Sequence, residues 1–161
     1  MRPFLIGVAI LVALVVSTAL GQLVPSLGRV VDPFLLVVVY CALRGGETHG
    51  MLAGLAAGWV QDAQFAGPVL GFSPLSKIIV GFAVGLAGTR FLLAGLGART
   101  LVLLSAAAAD TLLVQWLAAV FDVRVIDPGP LGLLWRATVN AGLGVALFEL
   151  IDRRLPREGH A

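Results

Sequence analysis

Long apolar blocks separated by single charged residues run through this chain of 161 residues and limit the folds it can adopt. Hydrophobic residues make up 59% of the sequence and charged residues only 12%, and the mean hydropathy is +1.01. A helix needs about 20 predominantly apolar residues to cross a bilayer, and several blocks reach that length. The sequence therefore predicts an all-α integral membrane protein with a single transmembrane domain, residues 1–161.

Six helices are predicted from the apolar blocks. They are Phe4–Val24, Pro33–Leu43, Thr48–Asp62, Pro74–Arg90, Ala98–Phe121 and Leu131–Ile151. Asp32 and Ser73 each precede a proline, so each offers an N-cap oxygen ahead of proline at the first helical position. The first block follows Arg2, but its apolar run exceeds the about 7 to 15 residues of a signal-peptide core, so we expect it to remain as a helix.

The second and third segments are short for membrane-spanning helices. At 1.5 Å per residue, a helix over Pro33–Leu43 covers about half of a 30 Å hydrocarbon core. In one interpretation, Arg29 and Asp32 lie at a thinned or sheltered interface and the helices extend further. In the other, the two segments form a re-entrant hairpin packed within the protein. Both place the two chain ends on the same side of the membrane.

The positive residues predict which side that is. One side carries Arg2, Arg44, Arg90, Arg99, Arg153, Arg154 and Arg157, and the other carries Arg29, Lys77, Arg124 and Arg136. The excess of positive charge marks the cytoplasmic side, so both termini should be cytoplasmic. The pI is near 9.3, but the basic residues are scattered between apolar blocks, which favours membrane topology over nucleic-acid binding.

Two sets of residues repeat at four-residue spacing in neighbouring segments. One glycine stripe contains Gly50, Gly54 and Gly58 and leads to Asp62, and the other leads from Lys77 to Gly81 and Gly85. Small residues let membrane helices approach closely, so the stripes predict an antiparallel helix pair. The spacing suggests that Gly58 meets Gly81, Gly54 meets Gly85, and Asp62 forms an ion pair with Lys77. The stripes are interpreted as internal packing, with a partner-protein interface as the alternative.

Four polar residues in the fifth and sixth segments predict a polar pocket. Asp110 lies at the middle of an apolar helix, where a charge is costly and must face protein or water. Counting helical rise places Asn140 near the depth of Asp110 and Arg136 near that of Gln115. A structural hydrogen-bonded network is the favoured interpretation, and a ligand site is the alternative.

Catalytic, cofactor-binding and metal-ligating constellations are not predicted. The sequence has two histidines and one cysteine, Cys41, which lies in an apolar block and reads as a packing residue. It contains no HExxH motif, serine nucleophile elbow or phosphate-binding loop. The sequence therefore predicts a protein that is not an enzyme and has no cofactor.

The stretch "RGGETHGMLAGLAAGWVQDAQFAGPVLGFSPLSKIIVGFAVGLAG" resembles the MreD family of rod shape-determining membrane proteins. Its order of features carries the likeness: a charged turn, a glycine-rich helix ending in Asp62, a glycine-containing connector and a helix bearing Lys77. The similarity covers about Asp32 to Thr89. Phe82 stands where many members have tyrosine, and the alanine-rich fifth segment matches no family motif.

The resemblance implies a non-enzymatic scaffold in the bacterial inner membrane that serves cell elongation and peptidoglycan synthesis. The implied partner is the bitopic protein MreC, which links the family to cytoplasmic MreB and to RodA with its transpeptidase. The family is also similar in layout to the S-components of ECF vitamin transporters, which implies a six-helix bundle.

That second likeness supplies an alternative function, a substrate-binding transporter subunit with its cavity near Asp110, Gln115, Arg136 and Asn140. Ala9 and Ala13 form a small-xxx-small pair of the kind that S-components present to their partners. A channel is disfavoured because pore-lining polar residues do not recur. The sequence leaves open whether the protein forms a homodimer and which helices contact MreC.

Overall fold

The computed structural model describes residues 3–65, 70–90, 95–125 and 128–154, and this part of the chain is almost entirely helical. The helices are α1 (Pro3–Leu23), α2 (Pro25–Gly28), α3 (Pro33–Phe65), α4 (Phe72–Arg90), α5 (Leu96–Val120) and α6 (Gly129–Arg154). The number of six agrees with the prediction, but the division differs. The short α2 was not predicted, and α3 contains the second and third predicted segments.

Helix α3 is a helical hairpin whose two arms meet at Gly46. This glycine has φ 77° and ψ −170°, a backbone conformation that glycine adopts without a steric penalty. Across the bend, a Cβ on Gly50 would lie only 2.8 Å from that of Ala42. At the open end of the hairpin, Gln61 Nε2 donates to Asp32 Oδ2 at 3.2 Å. The arms, residues 33–45 and 47–65, are therefore antiparallel.

The arms differ in length. At 1.5 Å per residue the first covers about 20 Å and the second about 28 Å. Asp32 at the open end is buried, whereas Arg29 is exposed. Asp32 therefore lies in a position sheltered by protein, as one interpretation predicts, but Arg29 does not.

Helix α1 packs along the outside of this hairpin. Its inward side chains Ile6, Ile10 and Ala13 join a buried cluster with residues from both arms, including Cys41 and Ala57. Gln64 Nε2 donates to Thr18 Oγ1 at 2.8 Å, which places the end of α1 beside the open end of the hairpin. Among the described elements, α1 packs only against α2 and α3.

A second buried cluster joins the hairpin to α4, α5 and α6. It includes Leu36 from the first arm, Val80 from α4, Leu103 from α5, and Ala137 and Phe148 from α6. Two of the four buried α5 residues in this cluster, Ala106 and Ala107, are small, which favours a close approach of this helix to its neighbours. The apolar core is therefore a bundle of the hairpin and three further helices.

Four helices are long and apolar enough to cross a membrane: Phe4–Leu23, Phe72–Arg90, Leu96–Val120 and Gly129–Arg153. Their outward faces carry large apolar side chains. Leu11 is 62% exposed, Leu101 67% and Leu131 80%. Exposure of so many large apolar groups is typical of a lipid-facing surface, which supports a membrane protein.

The two glycine stripes pack against each other, but not in the predicted register. A Cβ on Gly50 would collide with the Gly81 carbonyl oxygen, and one on Gly54 with the Lys77 carbonyl oxygen. Gly58 lies against Pro74 in the same way. Gly81 thus faces Gly50 rather than Gly58, a shift of eight residues or about 12 Å along the helix.

Gly85 shows the same shift, because it meets the backbone of Glu47 rather than Gly54. The physical reason is that a four-residue repeat also matches itself after a shift of four or eight residues. The glycine spacing alone therefore does not distinguish between these registers. Helix α4 begins at Phe72, one residue before Ser73, so the predicted N-cap at Ser73 is wrong.

Replacing Gly54 with leucine should strongly destabilise the protein because the side chain would enter the backbone of α4. We expect a loss of at least about 3 kcal/mol in the free energy of unfolding, the upper range for overpacked cores. Gly142→Leu is the matched control, since a Cβ there meets nothing within 4 Å. The measurement is unfolding by sodium dodecyl sulfate in mixed micelles.

Equal losses for the two glycine variants would contradict the close approach of α3 and α4.

Candidate functional site

A buried cluster of charged side chains lies where the open end of the hairpin meets α4 and α5. Lys77 Nζ on α4 lies 2.9 Å from Asp32 Oδ2 and 3.3 Å from Asp110 Oδ2. Lys77 is 1% exposed, Asp32 2% and Asp110 3%. The ammonium group therefore bridges two carboxylates that are far apart in sequence and closed off from solvent.

Asp32 is held by backbone groups as well as by Lys77. Its Oδ1 accepts a hydrogen bond from Leu35 N at 3.0 Å, which confirms the predicted N-cap ahead of Pro33. Arg136 Nη2 approaches Oδ2 at 3.9 Å. Because a buried carboxylate needs several donors to offset lost hydration, these contacts make the burial of Asp32 tolerable.

Asn140 on α6 forms hydrogen bonds with the backbone of the segment that precedes α3. Its Oδ1 accepts from Asp32 N at 2.8 Å, and its Nδ2 donates to Val30 O at 2.8 Å. The same Nδ2 contacts Arg136 O at 2.8 Å within α6. Asn140 is 1% exposed, so its amide satisfies backbone groups that would otherwise be buried unpaired.

Ser76 completes the surroundings of Asp110. The Ser76 hydroxyl lies 2.7 Å from Asp110 Oδ1 and 3.1 Å from the Asp110 carbonyl oxygen. Ser76 and Lys77 are adjacent on α4, so both reach the same carboxylate from one helix. The charge in the middle of α5 is thus neutralised by protein groups.

The structure brings together three of the four residues predicted to form a polar pocket. Asp110 and Asn140 belong to the cluster, and Arg136 lies at its edge. Gln115 is half-buried on α5, five residues after Asp110. The cluster is a packed network, as favoured from the sequence, and its central groups are covered by protein.

The predicted ion pair between Asp62 and Lys77 is wrong. Asp62 Oδ2 accepts a hydrogen bond from Gly71 N at 2.6 Å, at the start of α4, and Lys77 pairs with Asp32 and Asp110 instead. The cause is the register of α3 against α4, which places the Lys77 backbone beside Gly54. Asp62 therefore stabilises the beginning of α4.

The sequence interpretation missed Asp32, Ser76 and Gln61 as members of the cluster. A signal for Asp32 was present, because Lys77 and Asp110 are ionisable residues within apolar blocks and a buried charge needs a partner. Pairing the oppositely charged residues of the apolar segments, instead of aligning the two glycine stripes, predicts Asp32 as the partner of Lys77. Ser76 and Gln61 gave no comparable signal.

The glycine stripes are internal. Gly50, Gly54, Gly58, Gly81 and Gly85 are all buried, and the contact between α3 and α4 occupies both stripes. This burial agrees with the packing interpretation of these residues and leaves neither stripe exposed to a partner protein.

The cluster connects elements rather than supplying reactive groups. Two carboxylates face one ammonium and one guanidinium, so the charges balance within the protein. A buried ion pair of this kind contributes little net stability, but removing one partner leaves an uncompensated charge. The arrangement therefore specifies how the hairpin, α4, α5 and α6 fit together.

No family model matches the chain, and neither a curated protein nor a solved structure matches it.

Lys77→Met should destabilise the protein by about 3 to 5 kcal/mol, because it leaves two buried carboxylates without their shared cation. Asp110→Leu should also destabilise it. The double variant should lose less than the sum of the two single losses, since it removes one carboxylate together with the ammonium. Chemical unfolding in mixed micelles gives the four free energies.

Asp62→Asn provides the control, because Asp62 makes its hydrogen bond to Gly71 and its loss should add to that of Lys77→Met. Additive losses for Lys77 and Asp110, together with coupling between Lys77 and Asp62, would overturn the assignment of the ion pairs.

Proposed function

We propose that this protein is a non-enzymatic scaffold in the bacterial inner membrane that binds the bitopic protein MreC. In this role it belongs to the machinery of cell elongation and peptidoglycan synthesis, and MreC connects it to MreB and to RodA with its transpeptidase. The proposal starts from the resemblance of the glycine-rich hairpin and the Lys77 helix to the MreD family.

The closed charge cluster is the observation that carries the proposal. A small-molecule site presents its polar groups to a cavity that a ligand can enter. Here Asp32, Lys77, Asp110 and Asn140 are each at most 3% exposed and bond to one another or to backbone. Asp110 and Asn140, two of the four residues predicted to line a substrate cavity, are therefore engaged in contacts within the bundle.

The outer surface supports the same role. With the glycine stripes buried, a partner helix must meet another face. Within the described bundle, helix α1 packs only against α2 and α3, and it is the least buried of the four helices that are apolar enough to cross a membrane. Its outward side chains Val12 and Val15 are 56% and 66% exposed. A single transmembrane helix has room to pack there, although lipid covers this face in its absence.

The arginine distribution supports a cytoplasmic location for the bend of the hairpin. Arg44 and Arg99 both form salt bridges with Asp152, so the bend, the start of α5 and the end of α6 lie at one end of the bundle. Arg153 lies at the same end. By the positive-inside rule this end faces the cytoplasm, with both termini on that side. The proposed fold has the helical layout of an S-component, with its interior filled.

Co-purification tests the proposed partner. The tagged chain is expressed with full-length MreC, or with MreC whose transmembrane helix is replaced by an unrelated helix of equal length. We expect a stable complex in detergent with the native helix and at least a tenfold weaker yield with the replacement. Gly7→Leu on α1 and Gly142→Leu on α6 identify which helix contacts MreC. A Cβ at either position meets nothing within 4 Å, so each leucine can disturb a bound partner helix without disturbing the bundle itself.

Absence of a complex with native MreC would contradict the proposal. Tight binding of a vitamin such as biotin, thiamine or riboflavin by the purified chain would instead support the transporter-subunit alternative. In cells, depletion should turn rods into spheres if the elongation role is correct, while unchanged rod shape would count against it.

A further inference from the structure

An open pocket of about 270 Å³ lies where the start of α5 meets the end of α6. It is lined by Leu96, Arg99, Glu149, Asp152 and Arg153. The charge cluster around Lys77 plays no part in it, and neither does the proposed binding of MreC. The pocket combines an apolar side chain with guanidinium and carboxylate groups at one end of the bundle.

The charged groups that line this pocket are two guanidinium groups and two carboxylates. Asp152 forms a salt bridge with Arg99 Nη1 at 2.9 Å, and Arg153 Nη2 lies 3.0 Å from Glu149 Oε1. Arg44, which does not line the pocket, adds a third guanidinium beside Asp152. Each guanidinium carries five N–H donors, and each of these salt bridges engages one terminal nitrogen. Donors therefore remain for a further anion.

The geometry holds one arginine in place and leaves another accessible. The Arg99 side chain is 20% exposed and is fixed by Asp152, whereas the Arg153 side chain is 75% exposed. Arginine pairs well with phosphate because its planar fork matches two phosphate oxygens. A guanidinium held by Asp152 beside an exposed one suits a phosphate that enters from the surface.

The pocket lies at the ends of two apolar helices, where lipid headgroups would lie if both helices cross a membrane. Helix α5 begins at Leu96 and α6 ends at Arg154, so the pocket borders the ends of two helices that are long enough to cross a membrane. Leu96 is 59% exposed at its edge and offers an apolar contact to an acyl chain. Basic pockets between transmembrane helices on the cytoplasmic side are a known form of anionic lipid site.

We propose that this pocket binds a phosphate group, and that the phosphate belongs to the headgroup of an anionic phospholipid. Arg99 and Arg153 hold the phosphate oxygens, and Leu96 contacts the lipid chain. Glu149 opposes binding through its charge and weakens the affinity.

Native mass spectrometry of the full chain in detergent tests the proposal with two probes, phosphatidylglycerol and phosphatidylcholine. The wild type should retain phosphatidylglycerol preferentially. Arg153→Gln should weaken that binding about fivefold, the effect of about one basic residue near an anionic lipid. Arg124→Gln is the matched control because Arg124 is exposed at the opposite end of the bundle, and it should leave binding unchanged. Glu149→Gln should strengthen binding.

Equal losses for Arg153→Gln and Arg124→Gln would overturn the pocket, because they would show attraction by overall charge alone. No gain from Glu149→Gln would overturn it as well. A competition with inorganic phosphate separates the two sources of the ligand. Failure of phosphate to displace phosphatidylglycerol supports a lipid site, whereas displacement at equal affinity assigns the pocket to free phosphate and overturns the lipid. Circular dichroism confirms that each variant is folded.

Discussion

The burial of Lys77 between Asp32 and Asp110 specifies how the hairpin and its neighbouring helices fit together. A single ammonium group in an apolar bundle cannot stay charged without nearby carboxylates, and these come from two elements that only tertiary folding brings together. The contact joins the hairpin, α4 and α5, and Asn140 adds α6 through the backbone at Asp32. Four parts of the chain are thereby fixed around one point.

The cluster and the glycine contact support each other. Glycines in the second arm of the hairpin allow α4 to approach until backbone meets backbone, and this brings the base of the Lys77 side chain beside Gly54. From there the side chain reaches Asp32 at the open end of the hairpin. The bend at Gly46 is equally necessary, because only an antiparallel hairpin places Asp32 beside the end of the second arm.

Much of this architecture follows from the sequence, since apolar blocks define helices and glycine repeats define which helices pack closely. The N-cap at Asp32 and the depth match between Asp110 and Asn140 were also predictable from local chemistry and helical rise. The register between α3 and α4 was not, because Gly50, Gly54 and Gly58 are equivalent under a shift of one turn. A register that places Gly58 against Gly81 also places Asp62 beside Lys77, so the predicted ion pair is wrong for the same reason as the predicted register. Pairing buried charges first would have constrained the register better.

The polar interior of the bundle is filled by its own side chains, so recognition of a partner would have to use the outer faces. This supports the proposed scaffold over a substrate-binding subunit. Lys77 is the only lysine in the sequence, so a reagent that modifies lysine amines measures how accessible this buried side chain is. Reductive methylation of the folded protein in detergent, followed by mass spectrometry of the peptide that contains Lys77, tests the burial of this ion pair most directly. Lys77 should stay unmodified until the protein is unfolded, while the N-terminal amine reacts. Methylation of Lys77 in the folded protein at the rate of an exposed lysine would contradict this burial.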